Sequence, residues 1–251
     1  AKELQSCIVF LRPLGLRLEK NEKARTDMVT GISHDLRTPL TSIRGYIKGV
    51  LDGVADTDEK KALYLQTAYE STEDMNALLQ KLFDFSRMES GQMPFHMVHA
   101  DLAEFTSAWT AQKEGVLKSR QIHLSFMQEK EVMPEVPMDV DQVPRIFDNL
   151  LENSVKYAGV RPLEIRIQVF EQTGEKHGVI VEWKDNGHGV PEEKLPQIFE
   201  RFYRCDESRS EKGGGIGLYV VKYIMERHGG SVKAENDGGL KIQLFFPKEE
   251  T

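Results

Sequence analysis

The chain reads as two domains in series, an all-α helical hairpin followed by an α+β two-layer sandwich of helices on a mixed or antiparallel sheet. Two patterns and a length predict this. In the first third, apolar residues recur by threes and fours, the spacing of amphipathic helices. Beyond it, runs such as Leu163, Ile165, Ile167 and Val169 alternate with period two and are interleaved with helical segments. At 251 residues the chain can enclose two cores of ordinary domain size.

The first helix is expected from about residue 16 to residue 51, charged at first through Arg17, Glu19, Lys20, Glu22, Lys23 and Arg25 and amphipathic after Met28. Met28, Ile32, Leu36, Ile43 and Ile47 share one face. His34 lies two residues from both Ile32 and Leu36, a rotation of about 200°, so it faces solvent with Asp35 beside it. Taken alone, that pair reads as an ordinary surface histidine next to an acid. Pro39 interrupts the helix, but the apolar spacing resumes at Ile43, Ile47 and Val50, so a kink near His34 and Asp35 is expected rather than an end.

Residues 52–57 form a turn, with Asp56 or Thr57 available to cap a second helix over about 59–88. Its apolar stripe is Leu65, Ala68, Met75, Leu78, Leu82 and Phe85. Two helices alone cannot enclose a core, so the hairpin is expected to complete a four-helix bundle as a homodimer. The segment Glu89-Ser90-Gly91-Gln92-Met93-Pro94 breaks the helix and marks the boundary. This divides the chain into a signal-transmitting linker over 1–24, the hairpin over 25–91 and the sandwich over 95–251.

In the second domain, helices are expected at about 101–118, 139–158, 192–203 and 216–229, and strands at 122–127, 163–170, 178–184 and 240–246. Residues 171–177 serve as a hairpin turn. The net charge of -7 argues against a general nucleic-acid binder, which needs a basic face. Cys7 and Cys205 give neither a disulfide framework nor a metal-ligand spacing, which fits a reducing, cytoplasmic compartment. No run approaches the length of about eighteen apolar residues that a membrane span needs, so the chain is expected to be soluble.

Four segments of the second domain carry chemistry. On a helix, Asn149, Asn153 and Lys156 fall at i, i+4 and i+7, so two amides and an ammonium line one edge while Leu150, Leu151 and Val155 turn inward. Amide oxygens suit a hydrated Mg²⁺ carried by phosphates, and Lys156 can neutralise phosphate charge. Asp185-Asn186-Gly187-His188-Gly189-Val190 follows a strand; its carboxylate can accept from an adenine amino group, and its glycines admit close backbone approach. Lys212-Gly213-Gly214-Gly215-Ile216-Gly217-Leu218 opens a helix whose unpaired N–H groups suit phosphates, although it is neither a P-loop nor a dinucleotide fingerprint. Between these, Arg201 and Arg204 could reach phosphates, while the aromatics of Ile198-Phe199-Glu200-Arg201-Phe202-Tyr203-Arg204 anchor a lid. Each also has an ordinary reading: a solvated helix face, a turn, a flexible linker and an amphipathic helix.

In this order, together with Ser33-His34-Asp35-Leu36-Arg37-Thr38-Pro39-Leu40, these segments resemble the sensor histidine kinases of two-component signalling. The resemblance covers about residues 20 to 248. It implies a helical dimerisation and phospho-acceptor domain followed by a Bergerat-type ATP-binding domain, the kind shared with gyrase, Hsp90 and MutL. His34 is then the phospho-acceptor, Asp35 its tautomer-setting base and Thr38 the holder of a water for dephosphorylating the partner, with Arg37 in the same catalytic box. ATP is implied at Asn149, Asn153, Lys156, Tyr157, Asp185, Gly187, Gly189, Val190, Arg201, Phe202, Arg204, Gly213, Gly215, Ile216, Gly217 and Leu218. Mg²⁺ is implied at Asn153 and Asn149.

The partners implied are a second copy and a response-regulator receiver domain, with a membrane-anchored parent. Ser154, Cys205 and Tyr219 are mild departures, standing where Ala, an aliphatic and a small residue are usual. Two rivals remain at this stage: a conformational ATPase and a non-catalytic nucleotide-holding module. The first normally carries a general-base Glu where this chain has Asn149, and an amide cannot take a proton from water.

Overall fold

The computed structural model describes residues 31, 33, 35–174, 176–201, 203 and 215–248, in two compact units divided between Met93 and Pro94. In the first unit, α1 covers residues 35–51 and α2 covers Asp58–Glu89. The helix runs unbroken through Pro39, so proline does not end it. His34 lies outside the described residues, as do Ile32 and the expected linker over 1–24.

The turn closes with Asp52 N–H donating to Lys48 O at 2.8 Å and Ala55 N–H to Gly49 O at 3.1 Å. Thr57 caps α2 by accepting from Lys60 N–H at 3.2 Å, and Asp58 and Glu59 put negative charge at the positive helix end. Between the helices, the Ser42 and Ser71 hydroxyls lie 3.1 Å apart, and the Tyr46 and Tyr64 rings meet edge-on at 5.2 Å. Of the expected stripe, Ala68 and Phe85 are buried while Leu65 is 54% exposed. Leu40, Ile47, Leu51, Leu63, Tyr69 and Phe83 are exposed as well, so one copy of the hairpin leaves much apolar surface in water. Among the described residues no helix is long and apolar enough to cross a membrane.

The second unit begins with β1 (Val98–Ala100), α3 (Leu102–Lys118), β2 (Ile122–Gln128), β3 (Val136–Met138) and α4 (Val143–Tyr157). It continues with β4 (Leu163–Gln172), β5 (Gly178–Asp185), α5 (Gly217–Arg227), β6 (Ser231–Asn236) and β7 (Leu240–Pro247). The main sheet is mixed, in the order β2-β4-β5-β7-β6, with β2 parallel to β4 and the other neighbours antiparallel. β1 and β3 form a separate antiparallel ribbon.

Period-two alternation puts Leu163, Ile165, Ile167 and Val169 of β4 on the same buried face as Val181 and Trp183 of β5 and Ile242, Leu244 and Phe246 of β7. The helices cover that face. Trp109 of α3 meets Phe147 of α4 at 5.3 Å and Trp183 at 5.9 Å, so both helices and the sheet converge on one aromatic cluster. Burying each such large side chain contributes about 1.5–3 kcal/mol. Asp101 caps α3 by accepting from Ala103 and Glu104 N–H at 2.8 and 3.1 Å.

Two expected helices are corrected. Over 192–203 the described residues form turns around a single 3₁₀ turn, Leu195–Gln197, because Pro196 lacks an N–H and crowds the carbonyl one turn earlier. The helix expected over 139–158 starts only at Val143, because Asp139 folds its own turn by accepting from Asp141 and Gln142 N–H.

Asp139 also organises a buried polar junction. It accepts from His96 N–H at 2.6 Å, and its own N–H donates to Nε2 of His228, the residue after α5, at 2.9 Å. Nε2 is thereby the acceptor, so Nδ1 carries the proton and donates to Ile224 O at 2.8 Å. Burial among Phe95 and Phe246 holds the His228 ring below its ordinary pKa of 6.5, outweighing the Ile224 carbonyl and the Asp139 carboxylate, which act the other way. Well above pH 6.5 the ring is neutral in both states and contributes no pH dependence. Below it, the unfolded chain takes up a proton that the folded ring resists, so stability falls until the folded pKa is passed. Denaturant melts between pH 7.5 and 5 are therefore expected to show a steeper loss of stability for the wild type than for His228→Gln; parallel curves would contradict a neutral buried ring.

Candidate functional site

The chemistry-bearing residues of the second unit gather where α4, the end of β5 and the start of α5 come together. At their centre is Asp185, the last residue of β5, only 4% exposed. Its Oδ1 accepts from Gly187 N–H at 3.0 Å and Leu240 N–H at 3.1 Å, and its Oδ2 accepts from the Ser154 hydroxyl at 2.9 Å. A buried carboxylate is tolerated only when its lone pairs are met in this way. Ser154 in turn accepts from Trp183 Nε1 at 3.2 Å.

Close backbone approach makes this possible at two glycines. A Cβ on Gly187 would lie 2.6 Å from Ala158 Cα, so the loop after β5 rests directly on the end of α4, where His188 N–H donates to Ala158 O. A Cβ on Gly239, where φ is +152°, would lie 1.9 Å from Asp185 O. Next along the loop, Gly189 and Val190 are held by Asn236, whose Oδ1 accepts from Val190 N–H at 3.0 Å while its Nδ2 donates to Val190 O at 2.6 Å. Asn186 pins the other side, accepting from Glu164 N–H at 2.9 Å and donating to Pro162 O at 3.2 Å.

On α4, Asn149 donates from Nδ2 to Arg145 O at 2.6 Å, which leaves its Oδ1 toward α5, 3.0 Å from where a Cβ on Gly217 would stand. Asn153, one turn on and half-buried, makes no side-chain hydrogen bond to another described residue. Lys156 is already paired with Glu152, and Tyr157 ends the helix 39% exposed. The oxygen donors therefore suit a cation that arrives with phosphates and keeps most of its water. Among the described residues no cluster of three or more His, Cys, Asp or Glu offers a metal cage.

Gly215 and Ile216 lead into α5 at Gly217, followed by Leu218, and no side chain of a described residue caps this helix start. Its first N–H groups carry the positive end of the dipole and suit an anion. The Arg201 guanidinium stacks on the ring of Tyr219, in the first turn of α5, at 4.9 Å. Phe199 is buried. Phe202, Arg204, Gly213 and His34 lie outside the described residues. In the first unit, Asp35 is half-buried on α1, Arg37 and Thr38 are exposed, and Thr41 Oγ1 donates to Arg37 O at 2.8 Å.

Sequence reading missed Ser154 as a partner of Asp185, and missed Asn236, Gly239 and Leu240 altogether as parts of the site. Ser154 carried a signal, since it lies one turn after Leu150 on the buried face of α4 and a hydroxyl there needs a partner. Asn236-Asp237-Gly238-Gly239 is a strong turn sequence, but nothing in it says that the turn lies against Asp185.

Two family models match the chain. Residues 24–91 match the His Kinase A (phospho-acceptor) domain, and residues 138–250 match the histidine kinase-, DNA gyrase B- and HSP90-like ATPase. The chain is 31% identical over 231 residues to a sensor protein kinase WalK of Staphylococcus haemolyticus, covering 90% of this chain and 36% of that protein. It thus spans about a third of that relative's length. The fold resembles the Acinetobacter baumannii histidine kinase AdeS with a TM-score of 0.63 at 18% identity, over 86% of this chain and 98% of that one. It also resembles the histidine kinase ThkA solved in complex with response regulator protein TrrA, with a TM-score of 0.58 at 20% identity, over 93% and 66% of the two chains.

The contact at Gly239 is testable against its neighbour. Gly238 has φ of +63° with open space around it, whereas a methyl at Gly239 collides with the Asp185 backbone. Gly239→Ala is expected to cost about 2–4 kcal/mol from combined strain and overpacking, and Gly238→Ala about 1 kcal/mol. Equal losses in thermal or denaturant melts would show that the close approach does not matter.

Proposed function

Because the chain belongs to the two-component sensor histidine kinases and carries both their phospho-acceptor and their ATP-binding domains, we propose that it transfers the γ-phosphoryl group of ATP to His34 and from there to an aspartate on a response regulator. The observation that carries this reading is the gathering of Asn149, Asn153, the buried Asp185 and the α5 start on one edge of the ATPase unit, in a chain that also bears the Ser33–Leu40 box. The phospho-acceptor domain is assigned to 25–91 and the catalytic domain to 95–251, with 1–24 as a signal-transmitting segment.

A neutral ring nitrogen of His34 attacks the γ-phosphorus. The N–P bond forms as the bond to the β,γ-bridging oxygen breaks, and ADP leaves with that electron pair. Asp35 accepts a hydrogen bond from the other ring nitrogen, which fixes the tautomer and stabilises the ring as it becomes positive. Asp185 Oδ2 accepts from the adenine amino group, and the exposed Tyr157 lies against base or ribose. Asn153 would hold Mg²⁺ with Asn149 nearby, where the ion offsets phosphate charge. The α5 N–H groups do the same for the phosphates, and Lys156 joins them by exchanging Glu152 for phosphate.

Thr38, one turn after His34, orients a water for hydrolysing the phosphorylated regulator, so the protein works in both directions. The exposed apolar residues of α1 and α2 pack against a second copy to form a homodimeric four-helix bundle. The full-length parent is membrane-anchored and this part of it cytoplasmic.

Incubation with γ-labelled ATP is expected to leave acid-labile, alkali-stable label on the protein, and His34→Gln is expected to abolish it. Free phosphate without protein-bound label would instead favour a conformational ATPase. In the same assays Thr38→Ala is expected to keep autophosphorylation within about twofold while slowing regulator dephosphorylation about tenfold or more, the scale of a lost positioning group. Unchanged dephosphorylation would remove Thr38 from the mechanism.

A further inference from the structure

Resting on the reading of Asp185 as the adenine acceptor, we infer that Ser154 is the positioning residue that sets the base selectivity of the nucleotide site. Ser154 is 2% exposed on the inner face of α4, where Trp183 and Asp185 of β5 meet it. Its hydrogen bonds have a fixed direction. The indole N–H of Trp183 can only donate, so at 3.2 Å it takes a lone pair of the Ser154 oxygen. The single hydroxyl proton is then directed to Asp185 Oδ2 at 2.9 Å. The order Trp183, Ser154, Asp185 is a one-way relay that ends on the carboxylate.

The other end of the carboxylate is equally determined. Gly187 and Leu240 N–H fill both lone-pair positions of Oδ1. Ser154 fills one of the two on Oδ2, which leaves a single acceptor position on the group not met by a described residue. Such a position rewards a ligand N–H and penalises a ligand carbonyl or a bare C–H in its place, because a buried acceptor left unmatched is costly. Without the hydroxyl, Trp183 Nε1 is stranded and Oδ2 has two open positions instead of one. A water can then occupy the second. The carboxylate still binds its backbone donors, so the fold persists, but the advantage of a 6-amino group shrinks.

The test compares ATP with purine riboside triphosphate, which lacks only the 6-amino group, by calorimetric titration of the full chain. The wild type is expected to prefer ATP by about tenfold or more, the worth of a hydrogen bond to a charged group. In Ser154→Ala that preference is expected to contract to about twofold, with circular dichroism unchanged. Ser154→Cys, close in volume but a weak donor, is expected to lose most of the preference too and serves if the alanine variant does not fold.

A preference undiminished in both variants overturns the inference. Equal weakening of both nucleotides also overturns it, since that is what a purely structural hydroxyl would do. A wild type with no preference for ATP contradicts the reading of Asp185 itself, and the role of Ser154 falls with it.

Discussion

Burying a carboxylate is costly unless donors meet its lone pairs, and the Asp185 side chain is met from three directions at once. The donors come from the loop that follows it, from the first residue of β7 and from the inner face of α4. Each must arrive at its place for the group to be tolerated, so one side chain fixes the relative positions of a helix, a loop and a strand. The same requirement explains two glycines. Gly187 must touch the end of α4, and Gly239 must touch the Asp185 carbonyl, and neither approach leaves room for a methyl. The fold itself, through these three donors, fixes where the carboxylate lies.

Much of this fold was legible in the sequence because burial repeats at a fixed period. β4 and β7 alternate cleanly, β5 does so from Val181 on, and α3, α4 and α5 each carry a broad apolar face. What was illegible had no period to read. β1 and β3 are three residues long, and β6 is an edge strand with no residue fully buried. The helix expected over 192–203 has the right residues except for Pro196, and one missing N–H outweighs several favourable side chains. Proline at residue 39 had the opposite outcome, because the apolar spacing continues past it and α1 continues with it.

The site divided along similar lines. Asn149, Asn153, Asp185 and Gly217 stood out by residue type and spacing, and the fold sets Asn149 against Gly217 and ties Asp185 to the inner face of α4. Asn236 and Leu240 did not stand out, since they act through long-range contacts 46 and 55 residues away in sequence. Lys156 and Arg201 show a third case. Both were singled out as cations for phosphate, and the fold pairs one with Glu152 and stacks the other on Tyr219. Spacing identifies which charges lie near a site, but not which neighbour holds them.

Asp185→Asn is the most direct test of the account. It keeps the shape and an oxygen for the Gly187 and Leu240 N–H groups while replacing the acceptor at Oδ2 with a donor. Calorimetric titration with ATP, alongside circular dichroism to follow the fold, is expected to show affinity reduced about a hundredfold or more in a folded protein, since a donor then faces both Ser154 and the base. ATP affinity within about twofold of the wild type would contradict the claim that this buried carboxylate reads the nucleotide.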